Sequence, residues 1–380
     1  MSAVAQTSDA QRAAAEAAKA VSAAPETVQK VEKPKYWVQS LKTQINIGQT
    51  QLTNWAAGGD NTVSLAAFID GNANWKKNEM FWNNRLQLDY GFLYASSKPI
   101  LQKSTDRIYL ESRWGYKAPS TKYLYFSANY DFRSQFSTGY DYNTPGSVND
   151  ADGNPLKGGA LKQVWRDARV LKSDFLAPAY TNLALGIDYI PSKWLTVNVA
   201  PLTGGFVIVR MDELRSRYSM GLKKSVEKYK KGLTEDFING YNEAVNNGLP
   251  LNQAQKQYAS YLESVNSGSA YRSAKFEFGA QVKADARVNI NNNFSYSTQV
   301  VLFFDYLAGR TPGQKWYVPR VNWDNRIDWK LAKYFSLTLT TNLIYDDAIM
   351  IFSEKDELSK ARVQFKESLA FGFTYTIASK

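Results

Sequence analysis

From Ala274 to Ile290 apolar and polar residues alternate almost without a break. The even positions are Phe276, Phe278, Ala280, Val282, Ala284, Ala286, Val288 and Ile290. The odd positions are Lys275, Glu277, Gly279, Gln281, Lys283, Asp285, Arg287 and Asn289. Successive residues of a strand point to opposite sides, so this run predicts a strand with one oily and one wet face. A helical period would put Val282 and Asp285 on the same face, and it fits badly. The run is longer than the roughly five or six residues usual for a soluble strand. It suits a membrane-crossing strand, which needs about nine to eleven residues with apolar side chains outward.

Comparable runs recur near 38–53, 62–76, 80–96, 106–118, 123–137, 175–190, 194–209, 293–307, 316–331, 334–346 and 363–377, which makes twelve with 274–290. In the third, Met80, Trp82, Leu86, Leu88, Tyr90, Phe92 and Tyr94 share one face, with Arg85, Gln87 and Asp89 on the other. The connections after strands 2, 4, 6, 8 and 10 are tight, and the others are generally longer, up to 210–273. Short turns alternating with long loops mark an outer-membrane barrel, with the short turns in the periplasm. The prediction is an all-β, antiparallel, up-and-down transmembrane barrel over 36–380 with both termini periplasmic. Residues 1–35 form an Ala-rich tail, within which 9–22 could dock on a partner as a helix.

Aromatics strengthen this picture. Trp75 with Trp82, Tyr116 with Tyr123, Tyr189 with Trp194, and Trp329 with Phe335 flank short turns, where an interfacial girdle belongs. Trp55, Tyr94, Phe206, Phe276, Tyr306, Trp316, Tyr317 and Tyr345 would form the outer girdle. The 380 residues include no cysteine and no histidine. Disulfides and thiolate metal sites are thereby excluded, and the commonest general base is missing. No cofactor, metal or catalytic activity is expected; Asp346-Asp347 is the one adjacent acidic pair near a barrel mouth. The net charge of +11 is spread among acids rather than clustered, which suits lipid headgroups and argues against nucleic acid.

Two regions carry candidate function. The first is the lumen, for which the polar strand faces supply Arg85, Asp89, Glu111, Arg113, Arg133, Lys283, Asp285, Arg287, Arg320, Asp324, Arg326 and Asp328. A barrel of about eight strands is filled by side chains and one of sixteen or more holds water, so twelve lies between. Either the charges pair and close the lumen, or the arginines line a narrow pore with mild anion preference.

The second region is an insertion at about 211–268. Leu222, Val226, Tyr229, Leu233, Phe237, Tyr241 and Val245 recur at helical spacing. Thr234 and Asn252 are candidate N-caps. Lys223, Lys224, Lys228, Lys230 and Lys231 make its start basic, a candidate contact for a partner or an anionic glycan. Elsewhere, Asp150, Asp152 and Asn154 have a spacing open to calcium, and Trp55 to Gly59 predicts a tight turn.

Several segments carry a more specific likeness: GQTQLTNWAAGGDNTVSLAAFIDG at 48–71, LDYGFLY at 88–94, GYKA at 115–118, FLAPAY at 175–180, PLTGG at 201–205, LIYDD at 343–347 and VQFKE at 363–367. Together they resemble a Bacteroidota family of outer-membrane barrels defined only as a domain of unknown function. The resemblance spans about 40–377 and implies location and fold, with no activity attached. The insertion after Arg210 exceeds the family's usual loop there. Two roles follow as expectations: a structural or partner-binding subunit beside other barrels or lipoproteins, or a small-solute channel.

Overall fold

The computed structural model describes residues 36–50, 62–308, 315–347, 350–353 and 358–378. The chain divides into Met1–Tyr36 and Trp37–Lys380, and every described strand and helix lies in the second unit. The tail with its candidate helix at 9–22, and the turn from Trp55 to Gly59, lie outside the described residues.

In chain order the strands are β1 (Trp37–Thr50), β2 (Thr62–Lys77), β3 (Met80–Ala95), β4 (Lys98–Lys117), β5 (Leu124–Ser134), β6 (Gly139–Tyr142), β7 (Arg169–Ser173) and β8 (Ala179–Ser192). Next come β9 (Leu195–Ile208), β10 (Ala274–Asn289), β11 (Phe294–Asp305), β12 (Arg320–Lys330), β13 (Phe335–Tyr345), β14 (Met350–Ser353), β15 (Leu358–Ala361) and β16 (Gln364–Ala378). Twelve close into one antiparallel barrel, in the order β1, β16, β13, β12, β11, β10, β9, β8, β5, β4, β3, β2. Hairpins β6–β7 and β14–β15 stand apart from it. Closure removes the free strand edges that lipid could not hydrogen-bond.

The faces are inverted relative to a soluble protein. On β10, Phe276 is 51% exposed and its neighbour Glu277 only 4%. Leu183, Val199, Leu202 and Leu369 are likewise exposed, while Gln44, Asp188, Asn198 and Lys283 are buried. The greasy side faces out and the ionic side in, the arrangement of outer-membrane barrels. Rings mark both ends of the wall. Tyr123 meets Tyr189 and Tyr334 stacks on Phe373 at the short-turn end; Phe206 meets Phe276 and Phe278 meets Tyr306 at the other.

Glycines let the wall bend. Bulges fall between Leu185 and Ile187 and between Gly279 and Gln281. A Cβ on Gly186 would strike the Val199 carbonyl, and one on Gly279 the Phe304 carbonyl. Only glycine permits such close backbone approach.

Besides β12, which begins at Arg320 rather than 316, two boundaries differ from the sequence pattern by four residues or more. The pattern starts the fourth strand at 106, but β4 begins at Lys98, leaving only Ser96 and Ser97 between it and β3. The alternation fails there because adjacent Ile100 and Leu101 are both apolar, one buried and one exposed. The long hairpin is held by β6: the Lys103 amide donates to the Tyr142 hydroxyl and Lys98 Nζ to the Tyr142 carbonyl, each at 2.8 Å. At the other boundary, 175–178 is a turn rather than strand, closed by Asp174 and Ala177 exchanging backbone hydrogen bonds.

Among the described residues, the long-loop end carries five helices: α1 (Gly158–Asp167), α2 (Asp212–Arg215), α3 (Lys224–Lys231), α4 (Glu235–Asn246) and α5 (Gln253–Asn266). Thr234 caps α4 by accepting from the Phe237 amide, and Asn252 with Gln255 forms a capping box on α5. The foot of the insertion, Leu214 and Met220, packs with Ala177, Val207 and Val209 at the rim of β8 and β9.

Candidate functional site

Alternation along each strand aims polar side chains into the lumen, and strand register decides which of them meet. Arg85 on β3 grips Asp70 on β2 with Nε at 3.0 Å and Nη2 at 2.6 Å. Arg107 donates to Asp89 at 2.7 Å. Arg320 on β12 forms a two-pronged pair with Glu277 on β10. Two parallel N–H bonds to one carboxylate fix geometry as well as charge.

Other pairs span intervening strands. Arg113 on β4 donates to Asp188 on β8 at 2.8 Å, reaching past β5. Asn198 on β9 donates to the second Asp188 oxygen at 2.7 Å and to Ser127 at 3.0 Å. The longest reach joins Lys283 on β10 to Glu111 on β4, with β9, β8 and β5 between them around the wall. That pair crosses the lumen. A second cluster gathers at the seam: Arg326 holds Asp328 through two nitrogens at 2.9 Å and donates to Gln44 at 2.6 Å. Lys42 and Thr338 also donate to Asp328, at 3.0 and 2.7 Å.

Most of the twelve lumen candidates from the sequence meet one another or a polar neighbour on the same strand face. Besides those in pairs, Asp285 accepts from Gln299 and Asp324 from Asn322 and Asn342. Arg133 lies over the Tyr109 ring, and Arg287 is exposed, with the charges of Arg85, Asp285, Asp70 and Glu111 around it. Lys42, Asp70 and Asp188 are not among the sequence candidates. Each is a single charge in a moderately polar run, and only the parity of its strand marks it as inward.

Inward side chains are enclosed at several levels of the barrel, and the level of Lys283 and Glu111 is its waist. Lys283, Glu277, Asp188, Asn198, Gln281 and Asn129 are all buried, although each points into the lumen. Ions in so enclosed a place are tolerated because partners replace the lost water.

The structure sets the five lysines apart from the lumen. Lys223 precedes α3, and Lys224, Lys228, Lys230 and Lys231 lie on it, all exposed; Lys231 pairs with Glu227. Behind them, Tyr229, Tyr258 and Tyr261 form an aromatic cluster that ties α3 to α5. The insertion is also fastened to hairpin β6–β7. Asp141 accepts from Lys172 at 2.9 Å and from Arg217, while the Tyr218 hydroxyl donates to the Lys172 carbonyl at 2.8 Å. At 150–154, Asp150 spends Oδ1 on the amides of Asp152 and Asn154, a turn closing on itself. No metal-holding group of acids occurs among the described residues. Asp347 accepts from the Lys315 amide, and Asp346 lies 4.0 Å from Arg320.

A family model described as a protein of unknown function (DUF3078) matches residues 47–140. The match takes in the motifs at 48–71, 88–94 and 115–118, while those from 175 onward lie beyond it. No curated protein matches the chain. Among solved structures it is similar to the translocator domain of autotransporter NalP from Neisseria meningitidis, at 11% identity over 97% of each chain with a TM-score of 0.31. It is also similar to the NanC porin, at 6% identity over 89% of this chain and 98% of that one, TM-score 0.29. A third is OmpT of Vibrio cholerae, at 6% identity over 92% of this chain and 100% of that one, TM-score 0.24. The closed barrel is read from this chain's own strand pairing, and nothing about role passes to it from these proteins.

Proposed function

We propose that this is an outer-membrane barrel with its short turns and termini in the periplasm and its helical insertion outside. Its work is structural or partner-binding, within a larger assembly that includes other barrels or lipoproteins. It is not an enzyme, and nucleic acid is not a partner. The observation that carries this reading is the Lys283–Glu111 pair across a waist whose inward side chains are buried. That pair narrows any permeation path, and parting a buried ion pair costs several kcal/mol. The exposed lysines around α3 give the partner its address, and a protein or glycan surface rich in acids fits them. Planar-bilayer recording tests the closed lumen. Purified protein is expected to give no steady steps at low or high salt, whereas regular steps in the wild type would overturn the reading. Gentle-detergent purification tests the assembly: co-purifying envelope proteins should be lost when Lys224, Lys228, Lys230 and Lys231 are changed to Glu.

A narrow solute channel is the second reading. Arg133 and Arg287 favour it, since neither forms an ion pair among the described residues and both lend the lumen surplus positive charge. In that case the steps would show mild anion preference, and Arg287→Glu would reduce it.

A further inference from the structure

Strand register assembles a graded surface on the lipid-facing wall of β1 to β4. Trp37, Trp75, Trp82 and Trp114 are direct neighbours across four successive strands, forming one row. Two positions further into the wall the row is Gln39, Ala73, Asn84 and Ser112. Two further still it is Leu41, Gly71, Leu86 and Leu110. Beyond the tryptophans, at the short-turn end, Lys77 shares the outward parity of Trp75 and is exposed, whereas Lys76 stands beside the buried Phe81 on the inward face.

A groove of about 520 Å³ lies here. Its floor is Gly71 and Ala73, with Leu41 and Ile377 along one side and Leu86 and Leu110 along the other. The absence of side-chain bulk on β2 opens it: a Cβ on Gly71 would find only Leu41 Cδ1 at 3.7 Å and the Leu86 carbonyl at 3.9 Å. The volume falls within the range of small-molecule sites. The middle row is polar where lipid tails would otherwise touch it. Trp82 Nε1 donates to Ser112 Oγ at 2.8 Å, Ser112 donates to Asn84 Oδ1 at 2.8 Å, and Asn84 Nδ2 donates to the Ala73 carbonyl at 3.3 Å.

We propose that this groove seats one anionic phospholipid of the periplasmic leaflet. An acyl chain lies over Gly71 and Ala73, the ester region meets Asn84 and the tryptophans, and the phosphate faces Lys77. The order of the rows matches the order of chemistry along such a lipid: hydrocarbon, ester, interface, phosphate. Tryptophan belongs at the headgroup level, and basic residues next to it attract anionic headgroups. The inference rests on the proposed membrane placement of the barrel, though not on the closed lumen or on any protein partner.

Purified full-length protein is reconstituted in bilayers of mixed phosphatidylglycerol and phosphatidylcholine, extracted in mild detergent and weighed by native mass spectrometry. The wild type should retain one lipid, phosphatidylglycerol over phosphatidylcholine. Gly71→Leu with Ala73→Leu should weaken retention roughly tenfold. Should that variant not fold, as judged by heat-shifted gel mobility, Gly71→Ala with Ala73→Val gives a smaller loss in the same direction. Lys77→Gln should abolish the headgroup preference while a lipid is still retained. Ala284→Leu, on the outward face of β10, should change nothing. Unaltered retention in the folded groove variants, or an equal loss in Ala284→Leu, overturns the proposal. Failure of the wild type to enter bilayers at all would instead overturn the membrane placement itself.

Discussion

The waist of the lumen and the helical insertion both hold themselves together with polar contacts, but at different distances along the chain. Glu111 and Lys283 are 172 residues apart. Lys42 and Asp328 are 286 apart, and Arg113 and Asp188 are 75 apart. In the insertion, Thr234 caps an amide three residues on, Asn252 does the same, and Lys231 pairs with Glu227 one helical turn back. The waist therefore exists only once the cylinder has closed, whereas the insertion's helices are specified within a few residues. Burial sharpens the contrast: Lys283 and Glu111 are nearly dry, while the α3 pair stands in solvent. A change at the waist should be felt around the whole barrel, and one in the insertion should stay where it is made.

The largest effect is expected at the crossing pair. Glu111→Ala leaves Lys283 buried without its partner and should cost about 3–5 kcal/mol, read from urea unfolding in detergent. Replacing both, as Glu111→Leu with Lys283→Met, should recover most of that loss. If the double variant is no better than the single one, the two residues do not act as a unit.

One residue away on the same strand, Val282→Arg puts a charge on the lipid face instead. A cost of about 2–4 kcal/mol is expected if Val282 sits near mid-membrane. Equal tolerance of Arg at 281 and 282 would contradict the assignment of faces. Capping comes next: Asn252→Ala should loosen α5 by about 1 kcal/mol. Protease sensitivity within 253–266 should rise while the heat-shifted mobility of the barrel is unchanged.

The smallest effect concerns the fastening between the insertion and hairpin β6–β7. Partial burial raises the Asp141 carboxyl, but hydrogen bonds from Lys172 and Arg217 outweigh it and hold the group below the usual aspartate range. A lowered folded-state value means the contact contributes fully above the ordinary aspartate value of about 4 and is lost as pH falls through the folded one. Protection from hydrogen exchange in 139–173, taken relative to the intrinsic rate at each pH, should therefore be flat from neutral pH down to about 4 and fall only below it. Asp141→Asn should show the raised exchange at neutral pH, with the barrel strands unaffected.

Much of this molecule can be read in one dimension because a strand at a lipid–water boundary must alternate. Phe276 and Glu277 go opposite ways whatever the rest of the chain does. The parity of short and long connections follows from the same constraint, since a barrel in a membrane has two unlike ends. The start of β4 escapes this logic because its pairing with β3 shifts register at Gly91–Phe92 and again at Leu93–Ala95, so the alternation changes phase. Ile100 packs inward and Leu101 outward, and alternation stops being informative.

The amino-acid sequence alone determined the class of barrel, the alternation of apolar and polar faces along strands such as β3 and β10, and the caps of α4 and α5. Each depends on residues close together in the chain. Tertiary structure alone decided that Lys283 meets Glu111, that Arg113 meets Asp188, and that four tryptophans from four strands line up beside a groove floored by Gly71 and Ala73. Register and closure set those meetings, and they are properties of strands placed side by side. The residues involved are separated by lengths of chain over which local preference carries no information.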